Sequence, residues 1–550
     1  MKLNIPVYGP RLRKVARKHF GWPSLRPGQF KPMRAVLRRK DALVVLPTGA
    51  GKSAIYQIPA VLLPGPTVVI SPLLALQQDQ IAALNERDDP KTRAVRVSSA
   101  ETPAQQREAI ELIRSGQAEF LFITPEQLSD PERLAEVRAL KPGLVAVDEA
   151  HCISAWGHDF RPDYLALGDM IKQIGRPPVL ALTATASPPV REDIISRLRL
   201  RDPEIHVSGL DRRNLFLEVA YCPDEDYRWR RLTTMLDAEQ RPGIIYVPTR
   251  RAAEELAERL TDAGYGAEFY HGGMAAGLRE QRHQDFTDDK VDIMVATSAF
   301  GMGIDKPNIR WVAHVALPDS PDSYFQEIGR AGRDGEPGRA VLLWRSEDEA
   351  IQRFFAGGSP DAGELTELAG ALHKGPQTKT ALQKATGLGP RKLGQYLGLL
   401  EQVGAVRTGA GNKLTVPARA PMPAVAAEKA TEEFERQQAV VRSRTDMMRA
   451  FAQSRQCRTE TLLAYFGEDQ KRPCGHCDNC ADGTAQEVDA AEQDGPFPVH
   501  SHVRHGEWGT GMVMNYEEER MTVLFDTVGY KTLSVPVVVE QKLLTPAKSA

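Results

Sequence analysis

The residues of this chain with the plainest chemistry are Thr48-Gly49-Ala50-Gly51-Lys52-Ser53. Two glycines let a backbone curl until its N–H groups face an anion, and a helix start behind them adds the positive end of a dipole. Lys52 is then placed for the β- and γ-phosphates of a nucleotide such as ATP, and the Ser53 hydroxyl for Mg²⁺. The general phosphate-loop pattern asks for glycine five positions before Gly51, where this chain has Leu46. Asp148 and Glu149 form a second set: one carboxylate can hold the Mg²⁺ and the next can polarise an attacking water. Arg330 and Arg333 form a third, two guanidiniums one helical turn apart, in the manner of fingers for a shared γ-phosphate. Gln29 sits in a Pro-Gly turn near Phe20 and Trp22. It could read an adenine edge through two hydrogen bonds beside a stacked ring, or be a surface residue of the turn. A fourth set, Cys457, Cys474, Cys477 and Cys480, has the spacing Cx16CxxCxxC. Four thiolates able to converge in this way make a closed, tetrahedral structural Zn²⁺ site. Cys152 and Cys222 are left unpaired, with His476 a bystander.

These groups need elements that bring them to one place. Stretches 42–46, 120–126, 144–151 and 179–186 read as strands and 67–76 as a strand leading into a helix, with helical segments between them. Alternating strands and helices imply a parallel sheet whose function lies at the strands' C-terminal ends. The phosphate loop, the two acids and Thr183 to Thr185 all fall at such ends. Past Asp202 the alternation restarts, with strands at 243–247, 267–273 (with a Gly turn) and 291–298 and a helix at 250–263. The arginines at 330 and 333 belong to this second, loop-less half, so two α/β halves share one nucleotide cleft that closes on ATP and opens on hydrolysis.

From residue 20 to about 355 the chain resembles a superfamily 2 helicase of the RecQ family. The resemblance rests on 20–29, on the TGAGKS loop, on Asp148-Glu-Ala-His-Cys-Ile-Ser-Ala-Trp-Gly-His-Asp-Phe-Arg-Pro162, and on Gln326-Glu-Ile-Gly-Arg-Ala-Gly-Arg333. It implies a RecA-like ATP-binding helicase domain over 1–205 and a RecA-like helicase C-terminal domain over 206–356. It adds Gly303 and Asp305 to the nucleotide-binding residues, and implies 3′-to-5′ translocation on single-stranded DNA. Trp156 and Phe160 offer surfaces on which bases can stack and Arg161 a cation beside them, though a core placement of the rings remains open. His151, Thr183 and Thr185 would pass DNA occupancy on to hydrolysis, as the resemblance implies. The stretch 457–468 is similar to the RecQ zinc-binding subdomain.

The remaining 200 or so residues read as modules. Helix, turn, helix and hairpin over 360–417 form a winged-helix-like pattern with Arg391, Lys392 and Gln395 as duplex-facing candidates, or a packing domain that never meets DNA. Residues 419–430 read as a Pro/Ala-rich linker, 431–482 as a zinc-binding helical subdomain, and 498–545 as a small SH3- or Tudor-like barrel. Such a barrel suits protein docking, with DNA contact or plain stabilisation as alternatives. Winged-helix-like segment before zinc departs from the family's usual order. The 550 residues carry a net charge of −2, so nucleic acid must be held by local patches. No run is long and apolar enough for a membrane span, and no signal peptide is evident. Few cysteines favour a reducing, cytoplasmic setting, and the expected location is the cytoplasm, associated with the nucleoid. The expectation is an ATP-dependent DNA helicase of recombination and repair, a monomer acting on single-stranded and tailed or forked DNA. An RNA helicase, a nucleotide-gated clamp and a translocase that does not separate strands are the rivals.

Overall fold

The computed structural model describes residues 8–72, 74–87, 89–154, 164–301, 306–348, 359–375, 377–408, 413–468, 473–485, 495–517 and 519–547. The chain divides into two units. The first comprises 1–349 with 447–490, and the second 350–446 with 491–550.

The first unit holds two sheets. Strands β1 (Ala42–Val45), β2 (Thr67–Ile70), β3 (Ala94–Val97), β4 (Phe120–Ile123), β5 (Leu144–Val147), β6 (Val179–Thr183) and β7 (Glu204–Val207) form one, in the order β3-β4-β2-β5-β6-β1-β7. Every pairing is parallel. The five inner strands are buried on both faces, which is why they read as unbroken apolar runs. The edges β3 and β7 mix Arg, Glu and His with Val and Ile and are only half-buried. The second sheet, also parallel, runs β10-β11-β9-β12-β13-β8, with β8 (Leu215–Tyr221), β9 (Gly243–Tyr246), β10 (Ala267–Tyr270), β11 (Ile293–Ala296), β12 (Trp311–His314) and β13 (Gly338–Trp344). Each sheet therefore carries its polar strand ends on one edge, where crossover helices begin.

A zinc-type knuckle completes the first unit. Leu217 of the edge strand β8 forms a parallel bridge with Cys477, the Leu217 N–H donates to the His476 carbonyl (3.3 Å), and the Val219 N–H donates to Asp478 (2.9 Å). The knuckle thereby occupies a sheet edge that would otherwise be open.

In the second unit, helices Ala362–Leu372, Lys379–Thr386 and Pro390–Gln402 precede a short antiparallel hairpin, β14 (Arg407–Thr408) with β15 (Leu414–Thr415). This is the helix, turn, helix, hairpin order expected at 360–417. Lys392 is paired with Glu364 at 2.5 Å. Residues 419–430 are not a linker. Helix Pro423–Gln453 spans most of them, and Ala426, Ala427, Ala430 and Phe434 pack into the core of the three helices. Proline is tolerated in a helix's first turn and alanine is the best helix former, so the composition that suggested a linker suits a helix start equally well. Last comes an antiparallel sheet of β16 (His502–His505), β17 (Gly509–Glu517), β18 (Arg520–Phe525), β19 (Gly529–Ser534) and β20 (Leu544–Pro546), in the order β19-β18-β17-β16-β20. The last strand returns beside the first after a short helix, as in an SH3-like barrel. Among the described residues no helix is long and apolar enough to cross a membrane.

Candidate active site and metal centre

The phosphate loop follows β1 as the sequence predicts. Gly49 and Gly51 have φ of 81° and 77°, the left-handed region that only glycine enters freely. Ser53 sits at the N-cap of helix Ala54–Ala60. Lys52 Nζ turns back onto the loop's own carbonyls, Leu46 O at 3.2 Å and Pro47 O at 3.5 Å. Gln29, 3% exposed, lies on the same loop. Its Nε2 donates to the carbonyls of Gly51 (2.9 Å) and Ala50 (3.3 Å), and its Oε1 accepts from the Arg26 N–H (2.8 Å). Arg26 also donates to the Gly49 carbonyl. Phe20 is buried and stacked on Trp22, 4.9 Å between centroids, so that ring serves the core.

Two strands over, beyond β6, β5 ends in the acids. Asp148 is buried, and burial first, then the adjoining Glu149 carboxylate, pushes its carboxyl up to about 6, against the pull of Lys52. Its Oδ1 accepts from the Glu149 N–H (3.0 Å), and Gln80 Nε2 reaches Oδ2 at 3.4 Å, itself held by the Tyr56 hydroxyl at 2.8 Å. Glu149 adopts φ 47°, ψ 47°, a left-handed conformation uncommon for a side chain of this size. His151 Nδ1 lies 3.2 Å from Glu149 and 2.9 Å from Thr183 Oγ1 on β6. Thr183 in turn donates to the Thr185 carbonyl, at 2.9 Å. The coupling group His151, Thr183 and Thr185 is therefore brought together at neighbouring strand ends. Trp156, Phe160 and Arg161 lie outside the described residues, as do Gly303 and Asp305.

The arginines come from beyond helix Pro321–Ile328. Arg333 crosses to the phosphate loop, where its Cγ and Cδ lie 3.3 Å from the position a Cβ on Gly49 would take. Arg330 is buried and hydrogen-bonded to the Tyr246 hydroxyl, and its Nε has no hydrogen-bond partner among the described residues. Cations from one sheet thus face a glycine loop and a high-pKa carboxyl from the other. A magnesium nucleotide fits this donor set. Its phosphate oxygens would meet Lys52, Arg330 and Arg333, and its divalent cation the adjacent acids Asp148 and Glu149.

Gln80, Tyr56, Arg26, Arg212 and Asn214 were not singled out from the sequence. Gln80 reaches Asp148 across 68 positions of chain, and no local spacing reports such a contact.

The four cysteines converge. Their sulfurs all lie within 4.8 Å of one another, with Cys474 and Cys480 at 3.9 Å. A tetrahedron with Zn–S bonds of about 2.3 Å places sulfurs about 3.8 Å apart, so the set fits a structural zinc. His476 points its Nδ1 at the Cys474 carbonyl, 2.8 Å away, and stays outside the cluster. Arg458 lies buried beneath it, reaching Asp478 at 3.0 Å and the carbonyls of Phe451 and Ser454.

Three family descriptions match the chain: "DEAD/DEAH box helicase" over 26–194, "Helicase conserved C-terminal domain" over 228–335, and "RecQ zinc-binding" over 424–481. A probable ATP-dependent DNA helicase RecS of Bacillus subtilis is 38% identical over 366 residues, covering 66% of this chain and 73% of that protein. The ATP-dependent DNA helicase RecQ of Haemophilus influenzae is 36% identical over 476 residues, covering 86% of this chain; the chain spans 64% of its length. Among solved structures, the helicase MrfA bound to DNA superposes with a TM-score of 0.50 at 16% identity, over 76% of this chain and 60% of that one, which supports the fold. With the phosphate loop, paired acids, opposed arginines and four-cysteine knuckle in one unit, this chain belongs to the RecQ family of superfamily 2 helicases.

Proposed function

We propose that this protein is an ATP-dependent DNA helicase that moves 3′-to-5′ along single-stranded DNA and separates tailed or forked duplexes in recombination and repair. The observation that carries the reading is Arg333 lying against Gly49, which makes one phosphate site out of two sheets. Thr48, Gly49, Gly51, Lys52 and Ser53 bind the phosphates, with Ser53 and Asp148 holding Mg²⁺. Gln29 fixes the loop and faces the base, and Gly303 and Asp305 complete the binding set. When bound, Mg²⁺ would supply charge neutralisation at the phosphates; Glu149 orients the attacking water, and Arg330 and Arg333 stabilise charge as the γ-phosphate leaves. His151, Thr183 and Thr185 connect the acids to the neighbouring strand end, and Trp156, Phe160 and Arg161 supply the DNA contacts that they report. Domain limits of 1–205, 206–356, 360–417, 431–482 and 498–545 follow from the same assignment, with a monomer at work in the bacterial cytoplasm, near the nucleoid. The barrel is the surface for a protein partner.

ATP hydrolysis is measured without polymer and with single-stranded DNA, duplex DNA or matched RNA, alongside opening of 3′-tailed and 5′-tailed duplexes. Strong stimulation by single-stranded DNA with opening of the 3′-tailed duplex alone is expected, and Lys52→Ala abolishes hydrolysis while DNA binding persists. Stimulation by duplex without opening would make the protein a translocase, and preferential stimulation by RNA an RNA helicase.

A further inference from the structure

Residues 208–214 carry the chain from the first sheet to the second, and two of them end on the arginine-bearing turn. Arg212 donates from Nη1 to the Gly329 carbonyl (3.1 Å) and from Nη2 to the carbonyls of Ala331 (2.8 Å) and Gly332 (2.9 Å). Asn214 Nδ2 donates to the carbonyls of Gly332 and Glu336, each at 2.8 Å, and the Asn214 carbonyl accepts from the Gly338 N–H at 2.8 Å. Helix Pro321–Ile328 has its C-cap at Gly329, so the Gly329 carbonyl is one that a helix end leaves without an intrahelical donor, and the others belong to the turn beyond it. A guanidinium there also meets the negative end of the helix dipole. Gly332 has φ 58°, and a Cβ on it would come 2.6 Å from Asn214 Nδ2 and 2.7 Å from the Glu336 carbonyl. The turn between Arg330 and Arg333 is thus shaped around its clamp. Burial lowers the Arg212 pKa from its usual range. Beside it lies a small, largely apolar cavity of about 20 Å³ lined by Pro47, Leu210, Phe325 and Leu462 among others. Hydrogen bonds in such surroundings are stronger than in water.

The same segment is tied at its other end to the phosphate-loop strand. The Ser208 N–H donates to the Val45 carbonyl (3.2 Å), and a Cβ on Gly209 would lie 3.7 Å from Pro47. Any rotation of one sheet against the other must be taken up between these two anchorages.

We propose that Arg212 and Asn214 are positioning residues that hold the turn of Arg330 and Arg333 in its working attitude, so that the interdomain segment transmits cleft closure directly to the arginines. This rests on the reading of those arginines as γ-phosphate fingers. Neither residue touches the nucleotide; both act through the five backbone groups they hold.

The test uses the full chain as parent, Arg333→Ala, Arg212→Gln, Asn214→Ala, and each of the last two combined with Arg333→Ala. Single-stranded-DNA-stimulated kcat and KM for ATP are measured with zinc content and melting temperature. Arg212→Gln is expected to lower kcat about tenfold to a hundredfold with KM nearly unchanged, the signature of misplaced groups rather than lost binding. On the Arg333→Ala background it adds little further loss, because both changes remove the same interaction. Losses that multiply in full, or an Arg212→Gln enzyme as active as the parent, overturn the proposal while leaving the finger reading intact. A fully active Arg333→Ala enzyme removes the finger reading and this proposal with it. If Arg212→Gln does not accumulate as folded protein, Asn214→Ala decides by the same criteria.

Discussion

Asp148 and Glu119 are both buried carboxyls, 6% and 8% exposed, and burial pushes them up to about 6 and about 8. The first faces Lys52 and Glu149 in a cleft, where a divalent cation would reverse the shift on binding. The second lies just before strand β4, outside that cleft. Lys91 Nζ, itself half-exposed, is 3.7 Å from one of its oxygens, and Oε1 has no hydrogen-bond partner among the described residues. A folded-state pKa near 8 against an ordinary 4.5 means that the folded chain keeps a proton the unfolded chain has lost over that interval. Stability therefore falls as pH rises from about 4.5 to about 8 and levels off above it, by no more than a few kcal/mol. Glu119→Gln removes the titration. Calorimetry of the full chain should show the variant melting above the parent at pH 8 and level with it, or below it, at pH 5. An equal difference at both values would mean that Glu119 is charged in the fold. Glu119 went unremarked in the sequence, whereas Lys52, Asp148 and the cysteines were legible there, for a physical reason. Loops and knuckles encode their chemistry in spacing over a few positions, but a titration shift depends on neighbours from other strands.

At the scale of elements, helix Pro321–Ile328 carries the arginine turn and is flanked by the zinc module. Tyr465 of helix Arg458–Tyr465 donates its hydroxyl to buried Asp322, Phe466 meets Phe325 at a tilt with centroids 4.9 Å apart, and Tyr324 meets Phe451 at 5.4 Å. Arg191 of the first sheet's last helix donates to the Phe466 carbonyl. The zinc-ligand candidate Cys457 stands about two turns from these contacts, as the N-cap of the helix that ends at Tyr465. A structural zinc contributes folding free energy directly. Cys477→Ser should therefore lower zinc content and melting temperature together. It should also depress DNA-stimulated hydrolysis at temperatures where circular dichroism still reports the two sheets. A zinc-replete, stable and active variant would separate the metal from the motor. The knuckle's spacing was plain in the sequence, but its docking was not. Edge strands β3, β7 and β8 were likewise missed, since in each charged or polar residues interrupt the kind of continuous apolar run that marked the inner strands of the first sheet, and β12 and β13 inside the second sheet were not read either. The linker expected at 419–430 failed for a related reason: Pro and Ala describe a helix start and a tether alike until the burial of Ala426, Ala427 and Ala430 distinguishes them.

At the scale of the whole molecule, the chain passes between its two units at 349–350, 446–447 and 490–491. The order of segments in the sequence is thus a poor guide to what works together. The winged-helix-like module precedes the zinc knuckle in sequence, yet the knuckle belongs to the unit of the two parallel sheets. Every described residue assigned to hydrolysis lies in that unit. The barrel in the other has a core of its own, built on Val503, Val513, Met521, Val523, Phe525, Val538 and Leu544. It meets helix Pro423–Gln453 through the turn at Gly529, where a Cβ would lie 2.3 Å from Ser443 Oγ and 3.2 Å from the Ala439 carbonyl. Ending the chain at residue 494 removes the barrel and uncovers that stretch of helix, but leaves the phosphate loop, the acids, the arginines and the four cysteines in place. The shortened protein should keep its DNA-stimulated hydrolysis and its zinc while the helical part of the second unit melts at lower temperature. Hydrolysis, zinc content and calorimetry on the two lengths of chain measure this together. Loss of hydrolysis with zinc retained would place the barrel within the motor itself, and its role as a docking surface would then have to be abandoned.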